Sequence, residues 1–167
     1  MPPHSLQHEL GKKHHFAHPE EEAYLNLIRT ARVLEIDSLR LFRPFGLSEA
    51  TYNALRILRG HEPKGLPSQM IGQQMVSAVP DVTRLVDRLC GAKLAQRRRD
   101  DADRRVVTVR ITPKGLDLLA KLDQPLIHMH KAQLAHMSRA ELAELNRLLF
   151  KARHPELAAE GTGAPRR

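Results

Sequence analysis

The chain has 167 residues, 41% hydrophobic and 28% charged, enough for one hydrophobic core and with nothing that demands a second. Its net charge of +8 and pI near 10.1 favour a polyanionic partner, while 4% aromatic content without Trp argues against single-strand binding by base stacking. The single cysteine, Cys90, excludes a disulfide framework and a four-thiolate zinc site, and the lack of a bilayer-length apolar run or secretory leader leads us to expect a cytoplasmic protein without membrane contact.

Residues 1–17 mix Pro, Gly, His and Lys without period and read as a flexible N-terminal arm. Pro19 suits a first helical position, and Glu20, Glu21 and Glu22 suit the positive end of the helix dipole. Tyr24, Leu27, Ile28, Ala31, Leu34, Leu41 and Phe42 then continue an apolar face, so a long helix is predicted, ending before Pro44. Ser48 can cap a second helix with Tyr52, Leu55 and Leu58 facing inward and Gly60 beyond its end. After a turn over residues 62–65, Leu66 suits a minimal strand. Pro67 and Ser68 open a third helix with Ile71 and Met75 inward, and residues 76–78 make a tight turn into a fourth. That fourth helix carries Pro80 in its first turn, repeats Val82, Leu85, Val86 and Leu89 at helical spacing, and stops at Gly91.

Residues 94–98 and 105–111 are rich in extended-chain residues, with a polar connection over 99–104 that suits a hairpin tip. From Lys93 to Lys114 there are eight Lys or Arg against three Asp, a net +5 out of the total +8, so positive charge is concentrated on the hairpin. A short helix narrow enough for a major groove, followed by an arginine-studded hairpin that can reach the adjacent minor groove, is the layout of a winged helix-turn-helix. Arg84 and Arg88 lie one helical turn apart and suit bidentate contact with guanine, although either can instead pair with Asp81 or Asp87. Ser77 and Thr83 are candidate phosphate contacts. Asp81 is either a carboxylate favoured by the helix dipole or an acceptor for cytosine N4. Arg98, Arg99 and Arg104 project near the wing tip.

Beyond the hairpin, Thr112 caps and Pro113 starts a long helix, apolar at Leu116, Leu119, Leu122, Leu126, Met129 and Leu134, reaching about Ala135 with a bend at Pro125. Ser138 and Glu141 form a capping box for a last helix with Leu142, Leu145, Leu148 and Leu149 inward, and residues 154–167 read as a frayed tail. The terminal helices carry more apolar surface than the small centre can cover. A homodimer is therefore expected, with a pseudo-palindromic site whose half-sites lie about 10 base pairs apart.

Residues 103–115, Asp-Arg-Arg-Val-Val-Thr-Val-Arg-Ile-Thr-Pro-Lys-Gly, resemble the wing signature of the MarR family of bacterial transcriptional regulators. Residues 82–89, Val-Thr-Arg-Leu-Val-Asp-Arg-Leu, resemble the end of that family's recognition helix at the expected distance upstream. The resemblance implies a mainly α fold with a small β-hairpin wing. In it a winged helix-turn-helix over 48–112 is held between an N-terminal dimerisation helix in 18–47 and C-terminal dimerisation helices in 113–153. It also implies a homodimeric, double-stranded-DNA-binding regulator, a repressor, tuned by a small aromatic or amphipathic effector between dimerisation helices and winged lobe. Tyr24, Ile28, Phe42, Tyr52 and Leu116 are the candidates for that cleft, each equally compatible with plain core. The family's Asp-x-Arg spacing falls on Asp103 and Arg105 as an orienting bridge, leaving minor-groove insertion to Arg104 or Arg105.

Two rival functions share this fold. His14, His15 and His18, with His128, His130 and His136, raise a zinc-responsive regulator, although His128 and His130 point to different faces of a helix. A non-sequence-specific chromatin protein is the other. No enzyme is expected, because no Gly-rich phosphate loop, nucleophile elbow or His–carboxylate spacing is present, and no cofactor is expected either. Cys90 follows Val86 by four residues on an inward-leaning face and reads as an inert thiol.

Overall fold

The computed structural model describes residues 5–99 and 107–157. Its chain divides into two units, Met1–Met129 and His130–Arg167, which are described separately. The first contains α1 (Leu6–Glu9), α2 (Pro19–Phe42), a 3-10 turn (Arg43–Phe45), α3 (Glu49–Gly60), α4 (Ser68–Gln74), α5 (Val82–Gly91), β1 (Ala95–Arg99), β2 (Val107–Ile111) and the greater part of α6 (Pro113–Gln133). The second contains the end of α6 and α7 (Arg139–Arg153).

The core gathers around α3. Ser48 Oγ accepts from Thr51 N, and Thr51 Oγ1 in turn accepts from Ser48 N at 2.8 Å, a reciprocal capping box with Thr in the place usually held by Glu or Gln. Behind this start Tyr52, Leu55 and Leu58 recur at three-residue spacing, and all three are buried with Thr51 and Ala54. Ile71 of α4, Leu85, Val86 and Leu89 of α5, Val109 and Ile111 of β2, and Leu119 and Leu122 of α6 close the same cluster. Helix α2 joins it at its C-terminal end, where Phe42 stacks on Tyr52 at 4.5 Å between ring centroids and Ser38 hydrogen-bonds Glu49. Arg59 makes a bidentate bridge from α3 to Asp123 of α6 at 2.7 and 2.9 Å. That guanidinium holds the Asp123 carboxyl below the usual carboxylate range.

The wing is an antiparallel pair, Ala95 facing Ile111 and Arg99 facing Val107. Leu66 adds the expected single-residue strand, exchanging backbone hydrogen bonds of 3.0 and 2.7 Å with Val109. Gly65 permits this approach, because φ is +74° there and a Cβ would collide with the Val109 carbonyl. Thr112 Oγ1 accepts from Gly115 N, so α6 starts at Pro113 as predicted, and it continues across Pro125.

In the second unit, Ser138 and Glu141 form the predicted capping box. Hydrogen bonds from the Ser138 backbone and hydroxyl hold the Glu141 carboxyl below its ordinary value. None of α7's residues is buried. Of the residues expected to point inward, Leu142, Leu145 and Leu149 are half-buried and Leu148 is exposed, as is Phe150 beside them.

Three differences from the sequence-based expectation have physical reasons. Part of the segment expected as an arm is structured: Ser5 caps α1, Leu6 and Gln7 are buried, and Glu9–Arg29 (2.7 Å) and Lys12–Glu21 (3.6 Å) ion pairs tie the segment to α2. The fourth helix begins at Val82, not near Ala78, because the Asp81 carboxylate caps it by accepting from Arg84 N at 2.9 Å; Pro80 therefore precedes the helix and is not in its first turn. The first strand runs one residue later than predicted, Ala95–Arg99 against 94–98, because the Leu94 carbonyl is taken up by Thr112 N at the root of the wing, while the second is described from Val107 onward.

Candidate nucleic-acid interface

Helix α5 presents two faces. Leu85, Val86 and Leu89 are buried, while Thr83, Arg84, Asp87 and Arg88 are exposed. Helix α4 fixes its seat from behind: a Cβ on Gly72 would come within 2.8 Å of Val82 Cγ2, so the two helices approach closely only because the residue is Gly. The connection between them is anchored by Asn53 of α3, whose Oδ1 accepts from Val76 N at 2.8 Å.

On the exposed face the charged groups divide into paired and free. Arg84 turns back toward the helix start, its Nε 3.1 Å from Asp81 Oδ2, with its side chain 85% exposed. Asp87 is engaged across the junction with the wing, accepting from Arg97 Nη1 at 2.6 Å. Arg88 has no ionic partner among the described residues. Exposed pairs such as Arg84–Asp81 contribute at most about 1 kcal/mol, so Arg84 can exchange its carboxylate for a phosphate or a base. Along β1, Gln96, Arg97, Arg98 and Arg99 are exposed, and the Arg98 carbonyl accepts from Thr108 Oγ1 at 3.3 Å. Ser77 and Pro80 are exposed in the approach to α5. Asp103, Arg104 and Arg105, the expected wing-tip residues, lie outside the described residues.

Arg97 and Asn53 were missed by the sequence reading. Each works through a partner distant in the chain, Asp87 and Val76, and such a contact leaves no local spacing to detect. Cys90 is half-buried against the core, in keeping with its inward-leaning position.

The five effector-cleft candidates do not converge on one cavity. Tyr24 and Ile28 are exposed on α2, Phe42 and Tyr52 are buried against each other, and Leu116 is half-buried against the core. A cleft of about 320 Å³ instead opens between Phe45, the Ala92–Leu94 turn after α5 and the first turns of α6, where Lys114 Nζ donates to the Ala92 carbonyl at 2.9 Å. Among the described residues no three His, Cys, Asp or Glu side chains come together as a metal-ligand group, and no helix is long and apolar enough to cross a membrane.

A solved MarR transcription factor from Planctomyces limnophilus is 40% identical to this chain, covering 81% of it and 98% of that protein, with a TM-score of 0.62. The chain belongs to the MarR family. The PcaV transcriptional regulator from Streptomyces coelicolor, solved with its natural ligand, is 25% identical over 74% of this chain and 88% of its own, with a TM-score of 0.61. S. aureus MepR, solved as a DNA complex, shares the fold at 21% identity and a TM-score of 0.70, covering 79% of this chain and 97% of its own. Neither a protein-family model nor a curated protein matches the sequence. The chain is thus a winged helix-turn-helix transcription regulator of the MarR family and not an enzyme.

Proposed function

We propose that this MarR-family regulator binds double-stranded DNA sequence-specifically as a homodimer, represses by occupying a pseudo-palindromic operator, and responds to a small aromatic or amphipathic effector. The observation that carries the reading is the exposed face of α5, where Arg88, without an ionic partner among the described residues, and exchangeable Arg84 precede the arginine row of β1. In this assignment α5 lies in the major groove with Arg84 and Arg88 at base edges. Ser77 and Thr83 meet phosphates, Asp81 caps the helix with Pro80 before it, and Arg98, Arg99, Arg104 and Arg105 serve the wing, Asp103 orienting its loop.

Residues 48–112 are then the DNA-reading region, and residues 18–47 and 113–153 the dimerisation regions. Exposed Tyr24, Leu27 and Ile28 on α2, and separately Leu148 and Phe150 on α7, support a second copy as their cover. The effector is supported by the PcaV structure with its natural ligand. The test is a mobility shift with DNA upstream of the protein's own gene against random duplex at two salt concentrations. Tight, salt-sensitive, selective binding is expected; equal binding to both duplexes contradicts the reading and favours a chromatin protein.

A further inference from the structure

The stretch that leads into the recognition helix differs chemically from the rest of the interface. Between α4 and α5 it reads Met-Val-Ser-Ala-Val-Pro-Asp, with Val76 89% exposed and Ala78 and Pro80 exposed too. An apolar side chain so fully in water gains nothing for the fold, yet its backbone is fixed, since Val76 N donates to Asn53 Oδ1 at 2.8 Å. The same stretch is poor in groups that read polar base edges. Ser77 is its single side-chain hydroxyl, Pro80 has no N–H, and Asp81 Oδ1 is taken up in capping the helix by accepting from Arg84 N.

The N-terminal end of a recognition helix meets base edges in a major groove, and the stretch from Val76 to Pro80 leads directly into that end of α5. Of the groups displayed there, one alone is apolar: the C5-methyl of thymine. We infer that the loop from Val76 to Pro80 reads thymine methyl groups, Val76 foremost, dividing the half-site into an apolar-read segment and a segment read by Arg84 and Arg88. This rests on the proposed DNA-binding function and deepens it: the exposed apolar stretch runs in the chain directly into α5, and its occupant is the thymine methyl. Asn53 is then a positioning residue, holding Val76 at a fixed height above the groove.

Replacement of thymine by deoxyuridine deletes the methyl and leaves every hydrogen-bonding group of the base pair unchanged, so it separates this contact from all polar ones. A duplex is first selected from a random-sequence pool by the full-length protein, and its thymines are then replaced by deoxyuridine one position at a time. At one or more positions of each half-site the wild-type protein should bind roughly four-fold more weakly, the value of one buried methyl group. The Val76→Ser variant should bind thymine and deoxyuridine duplexes alike at those positions.

Full affinity at every deoxyuridine position, with selected duplex still preferred over random, overturns the inference and leaves the proposed function standing. Undiminished deoxyuridine sensitivity in Val76→Ser removes the assignment to Val76. Failure to select any sequence overturns both this inference and the function it rests on. The wild-type comparison needs no variant, so poor folding of Val76→Ser does not blunt the test.

Discussion

Helix α3 buries five of its twelve residues, whereas α2 buries two of its twenty-four and α7 none of its fifteen. The contrast follows from what each apolar face meets within its own unit. Around α3, side chains from α4, α5, the wing and α6 close a single cluster, so the reading lobe holds its shape with contacts from one chain. On α2 the apolar residues Tyr24, Leu27 and Ile28 occur at helical spacing yet stay in water. Helical periodicity thus reports a face that seeks cover, not the chain that supplies it.

The sharpest way to break the comparison is to attack the lobe's core. Leu55→Ala should lose about 2 to 5 kcal/mol, seen as a lowered midpoint in urea unfolding, because Leu55 is wholly buried. A loss below about 1 kcal/mol would place the core elsewhere. On the other side of the contrast, Leu27→Glu combined with Ile28→Glu should convert a dimer into monomers by sedimentation, with the lobe's circular dichroism retained; a variant that sediments as a dimer would remove α2 from the interface.

Next in size is Arg88→Ala, which should cost about 1 to 3 kcal/mol on a selected duplex and little on random DNA. Equal losses on both would make Arg88 a phosphate contact. The smallest effect belongs to Asp123→Asn, at about 0.5 to 1 kcal/mol near neutral pH, because the Arg59 pair is about one-third exposed. The Asp123 carboxyl is held below its ordinary value by Arg59. Its contribution is therefore fully present above the unfolded-state value of about 3.9 and disappears as pH falls through the lower folded-state value. Unfolding of the variant should lack that acid-dependent component, whereas wild type and variant responding identically below about pH 4 would deny the pair a role.

Much of the fold was legible because its signals are local. Ser48, Thr112 and the Ser138–Glu141 box announce helix starts within four residues, and each is found in that role. The Leu66 strand was legible from a short apolar residue between a turn and a helix start, and it pairs with Val109. The start of α5 was misplaced because two local preferences compete there. Pro80 is compatible with a first helical turn, but the Asp81 side chain satisfies the N–H of Arg84 and so sets the cap at Asp81, three residues after Ala78.

Non-local pairings were not legible. Asp87 is a neighbour of Arg84 and Arg88 in sequence and was a plausible partner for both, yet it pairs with Arg97 across the junction of helix and wing. The consequence for the site is direct, since Arg88 is left without an ionic partner among the described residues. The buried Leu6 near the start of the chain was hidden for a similar reason. A four-residue helix has no period to detect, and the ion pairs of Glu9 and of Lys12 just beyond it reach α2 over more than eight residues.

The measurement that tests the account most directly is a hydroxyl-radical footprint of the full-length protein on a selected duplex. Two self-sufficient reading lobes joined by paired terminal helices should protect two patches on one face of the duplex, centred about 10 base pairs apart, each with a flanking minor-groove protection from the wing. A single protected patch, or uniform protection along the duplex, would contradict it.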